Sequence, residues 1–170
     1  KYWAASTGAN CLVVESADLD LDGIVDFVAS NEGANTFSVG MGVGDGTFSV
    51  THYPTGPGPL QVAIEDMNAD GVPEILVPTN DPNDPSIHVY ERDSQGQYLT
   101  KIATIATPAR PASPVVEDFN ADGILDLACA TWQQKGLYVF YGTGVLQFAP
   151  PERQSTGALH LIVASDVTMD

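Results

Sequence analysis

The chain has 170 residues, 44% of them hydrophobic, and its 22 acids outnumber its 6 bases to give a formal charge of −16. That length suits one ordinary domain with a real core, and the hydrophobic share excludes a disordered acidic tail. The negative field excludes nucleic acid and anionic lipid surfaces as partners and suits cations or neutral ligands.

No run approaches the ~20 apolar residues of a membrane span, so direct membrane insertion is not expected. The start, at Lys1, shows no charged and apolar leader, and a processed or partial chain is expected. The apolar residues come in short runs bounded by Gly, Pro, Asn or Asp, the punctuation of strands rather than helices.

In chain order the first predicted strands are 11–16, 24–30, 35–42 and 47–53, split by an acidic stretch, by "NEGAN" and by "GDG". Strands at 60–65, 73–79, 86–91 and 97–104 follow, with "NDPNDP" and "DSQG" as breaks. The last set is 112–117, 124–131, 136–141 and 145–149. Residues with φ freedom or local Asx bonding mark nearly every junction. Cys11 and Cys129 fall inside predicted strands without metal-ligand spacing. They read as buried free thiols, with a disulfide between distant strands as the alternative.

One stretch recurs: "DLDLDGIVD" (18–26), "DMNADGVPE" (66–74) and "DFNADGILD" (118–126), with "DVTMD" (166–170) beginning a fourth copy. The copies start 48, 52 and 48 residues apart, each between two apolar runs. They divide residues 1–170 into repeats of about 1–53, 54–106 and 107–154 and a partial repeat over 155–170. Crowded carboxylates repel, so a solvated turn is the bland reading and a bound cation the sharper one.

Oxygens at alternate positions let a tight loop wrap one hard cation, and Gly23, Gly71 and Gly123 permit the turn. The first set is Asp18, Asp20, Asp22, the Ile24 carbonyl and Asp26. The second is Asp66, Asn68, Asp70, the Val72 carbonyl and Glu74, and the third Asp118, Asn120, Asp122, the Ile124 carbonyl and Asp126. Asp166 and Asp170 belong to the incomplete copy. About one Ca²⁺ per complete repeat, three in all, is expected, with Mg²⁺ second choice. With no His or Cys in the loops, zinc is not expected. An EF-hand would place a Glu at loop position 12, where Ala29, Val77 and Cys129 stand, and would flank the loop with helices.

Four short antiparallel strands per repeat make the blade of a β-propeller. The D-x-[DN]-x-D-G-x-x-[DE] loop with the "VGDGTF" hairpin (43–48) resembles the FG-GAP/VCBS repeat; "SQGQY" (94–98) and "TGVLQF" (143–148) are degenerate counterparts. The resemblance implies an integrin α-head-like, all-β propeller with Ca²⁺ between the first and second strands of each blade. About three and a half blades cannot close a ring, since propellers use about four to eight. A piece of a larger propeller is expected, with self-assembly of two copies as the alternative.

His52, His88 and His160 lie in three different repeats, which argues against a shared cluster, and no G-x-S-x-G elbow occurs. Trp3, Trp132, Tyr138 and Tyr141 are candidates for sugar stacking, though packing between blades is the favoured reading. The Pro-rich stretches 54–59 and 107–114 read as connectors between blades. The functional expectation is a calcium-binding module of an extracellular or cell-surface protein, a binding or adhesion scaffold rather than an enzyme. Its partners are a protein or glycan ligand, or further repeats of the same chain. The alternatives are the propeller part of a secreted carbohydrate-active enzyme and an architectural repeat of a surface filament.

Overall fold

The computed structural model describes residues 6–98, 100–131 and 136–154. The first repeat folds into β1 (Cys11–Ala17), β2 (Asp26–Asn31), β3 (Thr36–Gly42) and β4 (Phe48–Pro54). The second gives β5 (Ala63–Glu65), β6 (Glu74–Pro78), β7 (Ser86–Glu91) and β8 (Thr100–Ala106). The third gives β9 (Pro111–Glu117), β10 (Asp126–Thr131), β11 (Leu137–Phe140), β12 (Gly142–Gly144), β13 (Gln147–Phe148) and β14 (Glu152–Gln154). Each repeat is one antiparallel four-stranded sheet, in the orders β1-β2-β3-β4, β5-β6-β7-β8 and β9-β10-β11-β14. The expected all-β architecture of four strands per repeat is what the chain adopts.

The second strands explain how the sheets stack. Every residue of β2, β6 and β10 is buried, because each strand has a neighbouring strand on both sides and side chains covered on both faces. Alternation then splits a strand between two cores. Ile75 and Val77 of β6 join Val28, Phe37, Val39 and Tyr53 of the first sheet, whereas Leu76 joins Leu127, Cys129 and Phe140 of the third. Phe37 is the hub of the first core, stacked on Tyr53 at 5.3 Å between ring centroids and tilted on Tyr90 at 4.8 Å. Burying an aliphatic or aromatic side chain of this size stabilises by about 1.5–3 kcal/mol. The first strands β1, β5 and β9 run beside one another where the three sheets converge.

Two expectations are corrected. The fourth strand of the third sheet is Glu152–Gln154, not 145–149: residues 142–148 curl into the separate β12–β13 hairpin, with Leu146 left-handed at φ 54°. The turn of that hairpin stands where the "GDG" turn of the first repeat stands, Gly142 pairing with Phe148 as Gly42 pairs with Phe48. Val145 however replaces Asp45, which accepts from the Thr47 N–H, and the strand that pairs with β11 comes only at Glu152–Gln154. Cys11 is exposed, at the start of edge strand β1, whose residues are all exposed or half-buried. Cys129 is buried as expected, and burial pushes its thiol up to about 12.

Candidate metal centre

Each acidic loop links the first strand of a sheet to its second, and all three close by the same hydrogen bonds. The first-position carboxylates of Asp18, Asp66 and Asp118 accept the N–H of the fifth residue at 3.1 Å and of the glycine at 2.8 Å. Asp20, Asn68 and Asn120 accept the same fifth N–H at 3.3, 2.8 and 2.9 Å. Asp22, Asp70 and Asp122 accept the N–H of Ile24, Val72 and Ile124 at 2.7–2.8 Å. Polar side chains thus fix the turn of each loop, while Leu19 and Met67 anchor the first two loops in the hydrophobic cores.

Two backbone positions per loop are left-handed. The glycines sit at φ 85°, 90° and 86°, and a Cβ there would meet nothing within 4 Å, so conformation rather than space calls for glycine. The fourth position is left-handed as well: Leu21 at 63°, Ala69 and Ala121 at 59°. No residue preference announces that, and it was not legible in the sequence.

The loops bring some of the expected oxygen donors together and place others beneath. Asp18, Asp20 and Asp22 point carboxylate oxygens to within 4.8 Å of one another. The ninth-position acids are buried under their loops. Asp26 accepts the Leu19 N–H at 2.8 Å and the Gly42 N–H at 2.7 Å, and Asp126 does the same with Phe119 and Gly142 at 3.0 and 2.7 Å. In the second sheet the longer Glu74 accepts the Met67 N–H at 2.8 Å and turns its other oxygen to Asn68 Nδ2 at 3.0 Å. In the third loop Asn120 replaces an acid and donates to Asp122 at 2.9 Å. Asp166 and Asp170 lie outside the described residues.

Sequence reasoning missed Glu91 and Arg92. Glu91 ends β7 opposite Glu74, and Asp70, Glu74 and Glu91 lie within 4.8 Å of one another; only strand pairing brings it there. Arg92 reaches from the second sheet to the first loop, its Nη2 standing 3.8 Å from Asp20 Oδ2. Burial pushes the Asp20 carboxyl up, with Asp22 and Asp26 adding to it while the Asp22 N–H and Arg92 oppose. Glu74 is pushed up to about 7, first by burial and then by Asp70, Asp66 and Glu91, against the Met67 N–H. An all-oxygen donor set, with carboxyls that burial and like charge hold above their ordinary range, fits a hard divalent cation.

A second gathering of carboxylates was also missed. Glu15, Glu65 and Glu117, from β1, β5 and β9, line a cavity of about 310 Å³ with Val62, Ile64 and Val116. Burial, then the charges of Glu117 and Asp66, raise the Glu65 carboxyl above its ordinary value. Their signal was present, since Glu65 and Glu117 each stand directly before a loop's first aspartate. The histidines do not gather among the described residues: His52 contacts Ser38 at 2.8 Å, and His88 stands 3.5 Å from the Tyr90 hydroxyl in another sheet. Tyr138 is buried in the core and Tyr141 is half-buried. Trp3, Trp132 and His160 lie outside the described residues.

Residues 18–77 match the family described as FG-GAP-like repeat. The chain is similar in fold to a solved structure titled "Crystal structure of BBS1N in complex with ARL6DN, soaked with lead", with TM-score 0.55 and 14% identity over 86% of this chain. The match spans 43% of that structure's chain, so this chain corresponds to less than half of it. No curated protein matches the chain. The family match and the fold neighbour together uphold the resemblance read from the acidic loops: the chain carries FG-GAP-like repeat sequence within an all-β fold of four-stranded sheets.

Proposed function

We propose that the chain is a calcium-binding β-propeller module of an extracellular or cell-surface protein, serving as a scaffold that presents a binding face to a protein or glycan ligand. The observation that carries the reading is the convergence of Asp18, Asp20 and Asp22 in a loop built the same way three times. The residues that would hold the ions are the sets at positions one, three, five and nine with the carbonyls of Ile24, Val72 and Ile124. A bound divalent ion supplies positive charge that offsets the crowding of these acids. The chain's own contribution is a preformed cradle, with donors oriented by the backbone N–H groups they accept from. The fold neighbour's title describes a complex with ARL6DN, which accords with a propeller that engages a partner.

Sites of the extracellular class bind with constants of about 10⁻⁴–10⁻³ M, which suits an extracellular or cell-surface setting. At free Ca²⁺ 100 times the dissociation constant, each independent site stabilises the fold by about 2.7 kcal/mol. Titration calorimetry is expected to find about one Ca²⁺ per loop, and chelator to lower the melting temperature. Melting that is unchanged by excess chelator overturns the structural-calcium reading.

One observation favours a second reading, a carbohydrate-active site. Glu65 and Glu117 face one cavity, and the raised Glu65 carboxyl suits a general acid beside a carboxylate. Glycoside hydrolysis that disappears in Glu65→Gln and Glu117→Gln would establish it, and no turnover across a polysaccharide panel would remove it.

A further inference from the structure

We propose that Arg92, an arm of the second sheet, sets the affinity of the first acidic loop for its cation by competing with the ion for Asp20. The inference rests on the calcium reading above and adds a regulator to one of its sites.

The arm exists because of a local exchange between repeats. Gly42, Arg92 and Gly142 are equivalent, two residues beyond Gly40, Tyr90 and Phe140, which pair with Phe27, Ile75 and Leu127. At Gly42 a Cβ would stand 2.7 Å from the Val25 carbonyl oxygen, and at Gly142 2.4 Å from that of Leu125, so neither position accepts a side chain. Both glycines give their N–H to the ninth-position aspartate. Glu74 instead accepts from the Asn68 side chain, which releases position 92 to carry an arginine. The third sheet, with Gly142, offers the second loop no such arm.

The arm is held, yet its donors are not used up. Arg92 leads into a turn closed by Asp93, whose carboxylate accepts the N–H of Gln95 and of Gln97 at 2.8 Å. Arg92 Nε is buried without a hydrogen-bond partner, and the contact with Asp20 is a single ion pair at 3.8 Å. Asp20 is at once the third-position donor of the loop and the partner of this guanidinium. An ion entering the loop must share that carboxylate or displace the arm, and a fixed positive charge beside the site repels it in either case. In the absence of an ion, the same pair ties the second sheet to the first loop and partly relieves the crowding of its acids.

The test is a calcium titration of the whole chain, wild type against Arg92→Gln, with Arg92→Lys as the charge-retaining control. Removing the charge is expected to tighten one binding constant by roughly two- to fivefold, the scale of one partly exposed ion pair. The remaining constants and the lysine variant are expected to follow wild type. In chelator, Arg92→Gln is expected to melt below wild type, so that calcium raises its melting temperature by more. Arg92→Met, which keeps the aliphatic stem, replaces the glutamine variant should that one not fold. Constants that are unchanged or weaker on removing the charge overturn the inference while leaving the calcium reading intact. A wild-type chain that takes up no calcium overturns that reading first.

Discussion

Replacing Gly142 by alanine probes how closely the start of β12 approaches the third loop. The added Cβ would stand 2.4 Å from the Leu125 carbonyl oxygen and 2.7 Å from Ile124 Cγ2. The first of these is backbone and cannot swing aside, so the strands must part locally. Overpacking of this kind costs about 1–3 kcal/mol. Parting the strands also lengthens the 2.7 Å bond from the Gly142 N–H to buried Asp126, and a hydrogen bond to a charged group contributes about 1.5–3 kcal/mol. The sum is a loss of about 3 kcal/mol or more. At about 2–4 °C per kcal/mol for a chain of this size, the melting temperature should fall by about 10 °C. Urea unfolding followed by circular dichroism, with the m-value held constant, measures the loss. A loss below about 1 kcal/mol, the ordinary range of glycine propensity effects, would refute the close approach.

Gly123→Ala serves as the contrast: a Cβ there meets nothing within 4 Å, so only the left-handed φ of 86° costs, about 1–2 kcal/mol by the same assay. Glu74 makes stability depend on pH. Its carboxyl lies at about 7 in the folded chain against 4.5 ordinarily, so the unfolded chain ionises first. In chelator the contribution is fully present below pH 4.5 and is lost as pH rises toward 7, a change of about 3 kcal/mol. Glu74→Gln should remove that slope; an identical pH profile in the variant would count against the raised carboxyl. Phe37→Ala should cost about 3–5 kcal/mol in urea unfolding, because a fully buried ring with two aromatic neighbours leaves a cavity.

The loops were legible because their chemistry is local. Asp18, Asp20, Asp22 and Gly23 are close in the chain, and the Asx bonds that shape the loop need no distant partner. The strands were legible from turn residues and apolar runs, except where the signal was degenerate, as at 145–149. Glu91 and Arg92 carried no signal, since each acts across a strand pair or between sheets. Asp26, Glu74 and Asp126 were read as ligands from spacing alone. Their burial and their bonds to the loop and to Gly42, Asn68 and Gly142 came from folding.

Repetition along the chain was enough by itself to establish the four-strand units and the acidic, oxygen-rich turns between them, because turn geometry and residue type are short-range properties. Tertiary structure decided which acids stand at the surface and which brace the loop, and it brought an arginine of one sheet onto the aspartate of another. It also turned Glu15, Glu65 and Glu117 toward one cavity. Those outcomes depend on strand register and on how sheets stack, and packing between segments far apart in the chain determines both.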